Sequence, residues 1–549
     1  MAKGYRPVRR DQPFLLPPDM REWLPDDHAV WLVIGVVEQH LDTSAVHAVR
    51  RTGGRGARGY DPQMLVTLLI WAYASGVTSS RRIEELCRTD VAFAVICARD
   101  VPDHVTIARF RAAFPGLAQE LFAQVLMLCA RLGMGQLGTV ALDGTKITAN
   151  AAKAASRTEE RLRALAAQRA GEHAAADAAE DERFGAGRRG DRLPPGGAGG
   201  GSRDERIARV LAELEAGREA AQAARDAQAR AYLDAAAAGT APGGHVPDAA
   251  QVRAAQARLE RAEAAQRARI AAREQRDAQA RAAGHRGFRG RRPVPVKQAP
   301  AVRQARGWLE RAQARAAAQE REAAAGKGPA RNITDPDPRL MPVRGGGFLQ
   351  GYNAQNVTSA DGLIIATELT QDTGDTAWFG PMLTAALDAA ALITARHPPQ
   401  AGQDSADAQD TPGQDSLIGL FLADAGYCSE DNLTLPGPDR LIATGKHRDL
   451  EKQARAGAAD SPRGEATAAM AARLATEEGI TAYRQRGHIA ETPHGHIKHN
   501  MRFRQLSMRG KPKAAAEWAF AATVHNLFKA ITTSHLTPAA LASLASRPA

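Results

Sequence analysis

The chain has 549 residues, a formal net charge of +11, 44% apolar residues and only 5% aromatics. That length accommodates roughly three domains of ~150 residues, while the shortage of aromatics argues against a uniformly globular chain. The positive balance points to a polyanionic partner, nucleic acid being the usual one, although a coding bias toward Arg accounts for part of the same excess. The four cysteines, Cys87, Cys97, Cys129 and Cys428, form no CxxC pair and sit in apolar contexts, so they read as small buried hydrophobes in a reducing cytoplasm rather than disulfides or zinc ligands. The N-terminal stretch MAKGYRPVRRDQPFLLPPDM lacks the apolar core of a secretory signal. The runs AVWLVIGVV and LLIWAYA fall short of the ~20 residues a membrane span needs.

Residues 1–135 read as helical. LPDDHAVWLVIGVVEQHL is expected to start at an Asp cap, and in GYDPQMLVTLLIWAYASGV Asp61 followed by Pro62 is a cap followed by a first-turn proline. Short helices joined by tight turns, with Arg81, Arg82, Arg109 and Arg111 exposed, suit a helix-turn-helix-like DNA reader. A plain helical bundle with solvated arginines fits the pattern equally well.

A first strand, LGTVALDGTKIT, lies within 136–154. Residues 155–330 are then rich in Ala, Arg, Glu and Gln, strong helix formers whose apolar stripe is mostly Ala and buries little area. Long, partly exposed helices or weak hairpins are expected there, with disordered joints at 185–203 and 284–302. The basic joint could touch phosphates, but it reads first as a solvated spacer.

From 331 the pattern is mixed. GGGFLQGYNAQNVTSADGLIIATELTQ predicts two strands joined at Ala360-Asp361-Gly362. DTAWFGPMLTAALDAAALITARH is an amphipathic helix. SLIGLFLADAGY is a nearly continuous apolar strand of a sheet covered on both faces, SEDNLTL a Ser-capped helix, and DRLIATGKH another strand. A polar stretch from 447 to 475 precedes the last helices, and 536–549 reads as a tail. The order is strand, insertion, strand, strand, helix, strand, helix, strand, helix.

Two carboxylates stand within these apolar runs. Asp143 is followed by Gly144, which lets another group approach the backbone, and Asp424 ends its strand at the carboxyl edge where α/β sheets place ligands. Either Asp alone could be a turn or cap residue. Two held together repel, and a divalent cation is their natural partner. Mg2+ takes oxygen ligands, and a pair of ions ~4 Å apart can stabilise the attacking and leaving oxygens of a phosphoryl displacement.

The stretches GYDPQMLVTLLIWAYASG, PDHVTIARFR, ALDGTKITANAAK, NITDPDPRLM, GYNAQNV, LADAGYCSEDNL, LIATGK and ETPHGHIKHNMRFRQLSMRG…EWAFAATVHNLFK, taken in order, resemble the DDE transposases of bacterial insertion sequences, in particular those with an InsH-type helical N-terminal domain and an RNase H-like catalytic core. The resemblance covers most of the chain outside 155–330. It implies an α/β RNase H-like core, a mixed sheet flanked by helices, formed by 136–154 and 331–535, behind an all-α domain at 1–135. It implies Asp143, Asp424 and Glu491 as catalytic acids and ligands of two Mg2+ ions, with Mn2+ able to substitute. Tyr483, Arg486, Glu491 and Lys498 resemble the family's Tyr-Arg-Glu-Lys signature, with one residue more between Arg and Glu than is usual there. Pro493, close after Glu491, suggests that this acid begins its helix.

Lys498, Arg502, Arg504 and Arg509 could line a phosphate track, with Arg486 beside them. His494 and His496 point different ways on a helix and are soft ligands, so they read as DNA-contacting or simply polar, and Asn353 and Gln355 are expected near the site without being ligands. The expected protein is a cytoplasmic, nucleoid-associated transposase that binds double-stranded DNA at element ends and target, acting as a homodimer. A metal-dependent nuclease of the same fold, or a non-catalytic DNA-binding descendant, are the alternatives.

Overall fold

Local capping chemistry sets most helix starts in the first third. In the computed structural model, which describes residues 19–48, 59–113, 115–184, 203–238, 248–284, 286–287, 291–325, 330–343, 346–397, 417–445 and 464–545, seven helices precede the first strand. They are α1 (Ala29–His40), α2 (Ser44–Ala48), α3 (Pro62–Ala74), α4 (Ser80–Thr89), α5 (Val91–Ile96), α6 (His104–Ala113) and α7 (Pro115–Arg131). Asp61 accepts from the Gln63 and Met64 amides at 2.7 and 3.4 Å, with Pro62 in the first turn, as the sequence predicts. The cap of α1 is instead His28, whose Nδ1 accepts from Val30 N at 3.3 Å, because the two preceding aspartates fall in the turn before it. Asp90 and Asp103 cap α5 and α6.

β1 (Thr139–Thr148) opens the main sheet. The chain then leaves it for a separate compact unit, residues 156–333. There β2 (Ser156–Arg157) leads to the helices α8 (Glu159–Phe184), α9 (Arg203–Ala237), α10 (Asp248–Ala282) and α11 (Pro300–Ala325), and β3 (Arg331–Asn332) closes the unit by pairing antiparallel with β2. Its helices are long and mostly exposed, around a small cluster of Leu162, Ile207, Val210, Leu214 and Ile333. Alanine faces bury little area per turn, so few large side chains remain to pack. Of the expected joints, 185–202 lies outside the described residues, and 291–302 holds a short 3₁₀ turn, Val296–Gln298, and the start of α11.

The other unit, residues 1–155 and 334–549, contains the sheet. After β3 the chain runs through β4 (Arg339–Pro342), β5 (Phe348–Ser359), β6 (Ile364–Thr370), α12 (Phe379–Arg396), β7 (Leu420–Ala423), α13 (Glu430–Thr434), β8 (Asp439–Ile442), α14 (Glu465–Leu474), α15 (Glu477–Gly495), α16 (Lys511–Thr532) and α17 (Pro538–Ala545). β1 lies centrally, antiparallel to β5 on one side and parallel to β7 on the other, with β8 parallel beyond β7. β4 and β6 both pair antiparallel with β5. The hairpin turn between β5 and β6 holds Gly362 at φ +87°, where a side chain would be strained. The expected mixed sheet with flanking helices and a helical N-terminal region is therefore present. Two details differ: the short edge strand β4 was not anticipated, and β7 pairs over four residues of a longer apolar run.

Val30, Val36, Ile70, Val125, Leu142, Val357, Phe421, Trp518 and Val524 belong to one continuous core, so the N-terminal helices and the sheet share it. α16 packs against α3, α7 and β6. α17, in the segment expected as a tail, buries Leu541 and Leu544, and a side chain on Gly35 of α1 would collide with Leu541. The stretch Thr376–Arg396 is long and apolar enough to cross a membrane, and its α12 portion lies against α7 and β6. The four cysteines are free.

A buried polar cluster joins the N-terminal helices to α16. Glu517, 1% exposed, accepts from the Tyr73 hydroxyl at 2.8 Å, the Ser507 hydroxyl at 2.5 Å and the Ser507 and Met508 amides at 2.8 and 3.0 Å. Glu517→Ala would leave buried donors without an acceptor, so we predict a loss of about 3–5 kcal/mol in urea unfolding. Glu517→Gln, which keeps one acceptor oxygen, loses less. A loss below about 1 kcal/mol for the Ala variant would show that this cluster does not tie the helices to the core.

Candidate active site

Sheet register brings the two strand aspartates together. β1 and β7 run parallel with Leu142 opposite Ala423, so Asp143 and Asp424, each one residue further, stand side by side at the same edge. Asp424 also starts a 3₁₀ turn, Ala425–Tyr427, its Oδ1 accepting from Gly426 N at 2.9 Å. Asp424 thus caps this turn and also stands beside Asp143. Both carboxyls are held above the ordinary range. For Asp143 desolvation is the main cause, pushing it to about 6; Arg486 opposes the rise, and Asp424, Glu491 and Asp375 add to it. Burial likewise raises Asp424, against the pull of its Gly426 hydrogen bond and Arg486.

α15 crosses this edge. Tyr483 anchors it, donating through its hydroxyl to Ala423 O at 3.2 Å. One turn on, Arg486 Nη1 donates to Asp143 Oδ1 at 3.4 Å, with both side chains largely buried, and Nη2 lies 4.0 Å from Glu491 Oε1. Further along, His494 is 6% exposed, its Nε2 3.9 Å from Asp143 Oδ2, its ring stacked on Trp518 at 6.4 Å. Neither ring nitrogen has a hydrogen-bond partner. Burial pushes this imidazole down to about 4, keeping it neutral at pH 7. Tyr483, Arg486, Ala490 and His494 follow the helical repeat and form the face turned to the sheet.

Glu491 is one position off that face, and its side chain is 67% exposed. The expectation that it begins a helix is corrected. α15 starts at Glu477, where Thr476 accepts from Gly479 N at 3.0 Å, and Glu491 lies in the last turns. Pro493 sits inside the helix, which opens directly afterwards into a π turn, His496–Asn500. Such turns relieve an interior proline and recur at functional sites.

The sequence-predicted cations divide. Arg486 belongs to the acid pair. Lys498, in the π turn, donates through Nζ to Thr145 Oγ1 at 2.5 Å and Lys146 O at 2.9 Å, fixing it to β1. Arg504 donates to Lys498 O at 3.1 Å and Arg509 to Asn150 O at 3.0 Å, each keeping an exposed side chain. Arg502 is exposed, with backbone φ +52°. Arg81, Arg82 and Arg109 are exposed on α4 and α6, Arg82 paired with Glu85 at 2.7 Å. Arg111, expected exposed, is instead half-buried and donates to Thr78 O at 2.7 Å and the Tyr73 hydroxyl at 3.3 Å, bracing α6 against α3. His494 and His496 do point apart as expected, but His494 is buried at the acids rather than on the surface, and His496 meets His525 at 3.0 Å.

Asp375 went unnoticed in the sequence. It precedes the 3₁₀ turn Thr376–Trp378 at the cap position, yet its side chain caps nothing. Its Oδ1 accepts instead from Asn353 Nδ2 at 2.6 Å and Gln355 Nε2 at 2.8 Å, with Lys146 Nζ at 3.8 Å. The Tyr427 hydroxyl donates to Gln355 Oε1. Gly144 is required here, because a Cβ on it would come within 2.8 Å of both Gln355 Nε2 and Asp375 Oδ1. An Asp that reads as a helix cap offers no sequence signal of this role.

Among the described residues no three His, Cys, Asp or Glu side chains converge as a ready metal cage. The donors present are nevertheless hard oxygens on adjacent strands, both destabilised as carboxylates, and they suit a divalent cation such as Mg2+.

Residues 18–113 match a family described as a transposase domain (DUF772), and residues 447–531 match a transposase DDE domain. The second match takes in α15 and α16, the helix that meets Asp143 and the helix at the centre of the core. No curated protein and no solved structure matches. The two domain matches support a DDE transposase of an insertion sequence.

The raised Asp143 carboxyl makes a pH prediction. Its folded value of about 6 lies above the ordinary carboxylate value, so the protonated form favours folding. That contribution is complete below pH ~4 and is lost as the pH rises through 6. Asp143→Asn removes the dependence, so without divalent cations the variant should gain on wild type by about 1–2 kcal/mol between pH 5 and pH 7.5. Parallel stability curves in that window would contradict the buried, crowded carboxyl.

Proposed function

We propose that this DNA transposase cuts and rejoins insertion-sequence ends by metal-dependent phosphoryl transfer on an RNase H-like core. The reading is carried by one observation: the β1–β7 register sets Asp143 beside Asp424, with Arg486 of the DDE-matched helix lying against Asp143. The strand order, three antiparallel strands continued by two parallel ones on the other side of β1, supports the RNase H-like assignment.

Asp143 and Asp424 would hold Mg2+, with Mn2+ able to substitute, and Glu491 would join them from the end of α15 by a side-chain rotation. Two bound ions supply Lewis-acid stabilisation of the attacking and leaving oxygens. The protein's own residues do the rest. Tyr483 and the α15 face hold Arg486 at the acids, where its guanidinium offsets their charge and can turn to a phosphate oxygen. Lys498, locked on β1, places a second positive charge at the same edge. Buried and neutral, His494 adds no charge of its own and excludes water from Asp143. Arg502, Arg504 and Arg509 continue the positive track along the DNA backbone.

The N-terminal helices, presenting Arg81, Arg82 and Arg109, would bind the element's end, and residues 155–330 are an insertion that the core chemistry does not need. Two ends must be held together, so a homodimer in a synaptic complex is the working form, in the cytoplasm on nucleoid DNA.

A strand-cleavage and strand-transfer assay on duplexes bearing the inverted repeats that flank the gene tests this. Asp143→Asn and Asp424→Asn should each lower cleavage at least ~10³-fold while leaving gel-shift affinity within a few-fold, since the acids serve the reaction rather than binding. Asn at 424 retains the oxygen that caps Gly426, so the fold should survive. An Asp424→Asn protein that still cleaves would overturn the proposal.

A further inference from the structure

We propose that Asp375 is a further carboxylate of the cation site, set in place by Asn353 and Gln355. This rests on the reading of Asp143 and Asp424 as cation ligands. A cap-position aspartate ordinarily spends its oxygens on the helix amides that follow, and Asp375 makes no such bond. Two amide donors from β5 fix its Oδ1 from one side. Oδ2 accepts no hydrogen bond among the described residues and turns toward Asp424. A Cβ built on Gly426 would lie 3.0 Å from Asp424 Oδ1 and 3.2 Å from Asp375 Oδ2, so both oxygens border the same small space. Gly144 and Gly426, one after each strand acid and neither with a side chain, leave room for the third acid to enter between them.

One buried group beside Asp375 indicates that this space receives a ligand. Asn353, fully buried, donates through Nδ2 but leaves Oδ1 without a donor. A buried polar atom left without a partner is uncommon in a folded protein, and this one borders the same point beside Gly144 as Asp375 Oδ1, 3.1 and 2.8 Å from a Cβ built there. An acid fixed through one oxygen with the other left open is the usual arrangement of a positioned metal ligand, whose outer partners orient it. Glu491, by contrast, stands off the sheet-facing side of α15 and is mostly solvent-exposed. Asp375 is therefore the better-placed partner for Asp424 in the resting protein.

The test uses the full-length protein and Mn2+ or Fe2+ as the probe. Asp375→Asn keeps an oxygen for the two amides but removes the open carboxylate oxygen. The variant should bind Mn2+ at least tenfold more weakly by calorimetry, with an unchanged melting temperature in chelator. Unchanged Mn2+ affinity, or a lowered melting temperature with unchanged affinity, would make Asp375 a structural residue and overturn the inference. Fe2+-directed backbone cleavage of the wild type supplies a second test that needs no variant. Cuts near 143, 424 and 375 support the assignment. Cuts near 143 and 424 with none near 375 defeat it while leaving the two-acid reading intact. No cuts at any of the three would instead defeat the cation site itself.

Discussion

Everything at the site depends on two carboxylates held next to each other in a poorly solvated place. The parallel pairing of β1 with β7, Leu142 opposite Ala423, sets them there. The cost is visible in Asp143, pushed up to about 6. What offsets it in the resting protein is Arg486. A guanidinium is a good counter-charge in a buried pair because its fork can satisfy oxygens on more than one side. Its second contact, to Glu491, is long at 4.0 Å and reaches an exposed acid.

The rest of the unit serves to hold α15 at that edge. Tyr483 ties it to the backbone of β7, the π turn after Pro493 swings Lys498 onto β1, and Leu506 N donates to Thr148 O at 2.8 Å so that the following segment runs beside the end of the same strand. From there Ser507 and Met508 reach Glu517, and through Tyr73 the chain of contacts continues into the N-terminal helices. The segment that could follow a DNA backbone and the helices that could recognise its sequence are thus fastened to the same buried carboxylate.

Much of this was legible in the sequence, and the failures have local causes. Asp143 and Asp424 stood out because each breaks an apolar run, and the β5–β6 hairpin because its Ala-Asp-Gly turn separates two strand-like segments. The caps at Asp61 and Ser429 follow side-chain chemistry that acts over three residues. Glu491 was misplaced because a proline usually marks a helix start, whereas Pro493 is tolerated by the π turn that follows it. Asp375 was hidden because a cap aspartate and one held by another strand look alike until the partners from β5 are known. Arg111 looked like a surface cation, and only the approach of α3 buries it. Such contacts join residues far apart in the chain, so no local pattern reports them.

The central claim is that the space between Asp143 and Asp424 is a cation site which Arg486 balances until the ion arrives. Crystals of the full-length protein soaked in Mn2+ and measured at the manganese absorption edge test it most directly. The account predicts an anomalous peak at the two carboxylates, with the Arg486 guanidinium withdrawn from Asp143. No peak at the pair, with Arg486 still seated on Asp143 at saturating Mn2+, would contradict it.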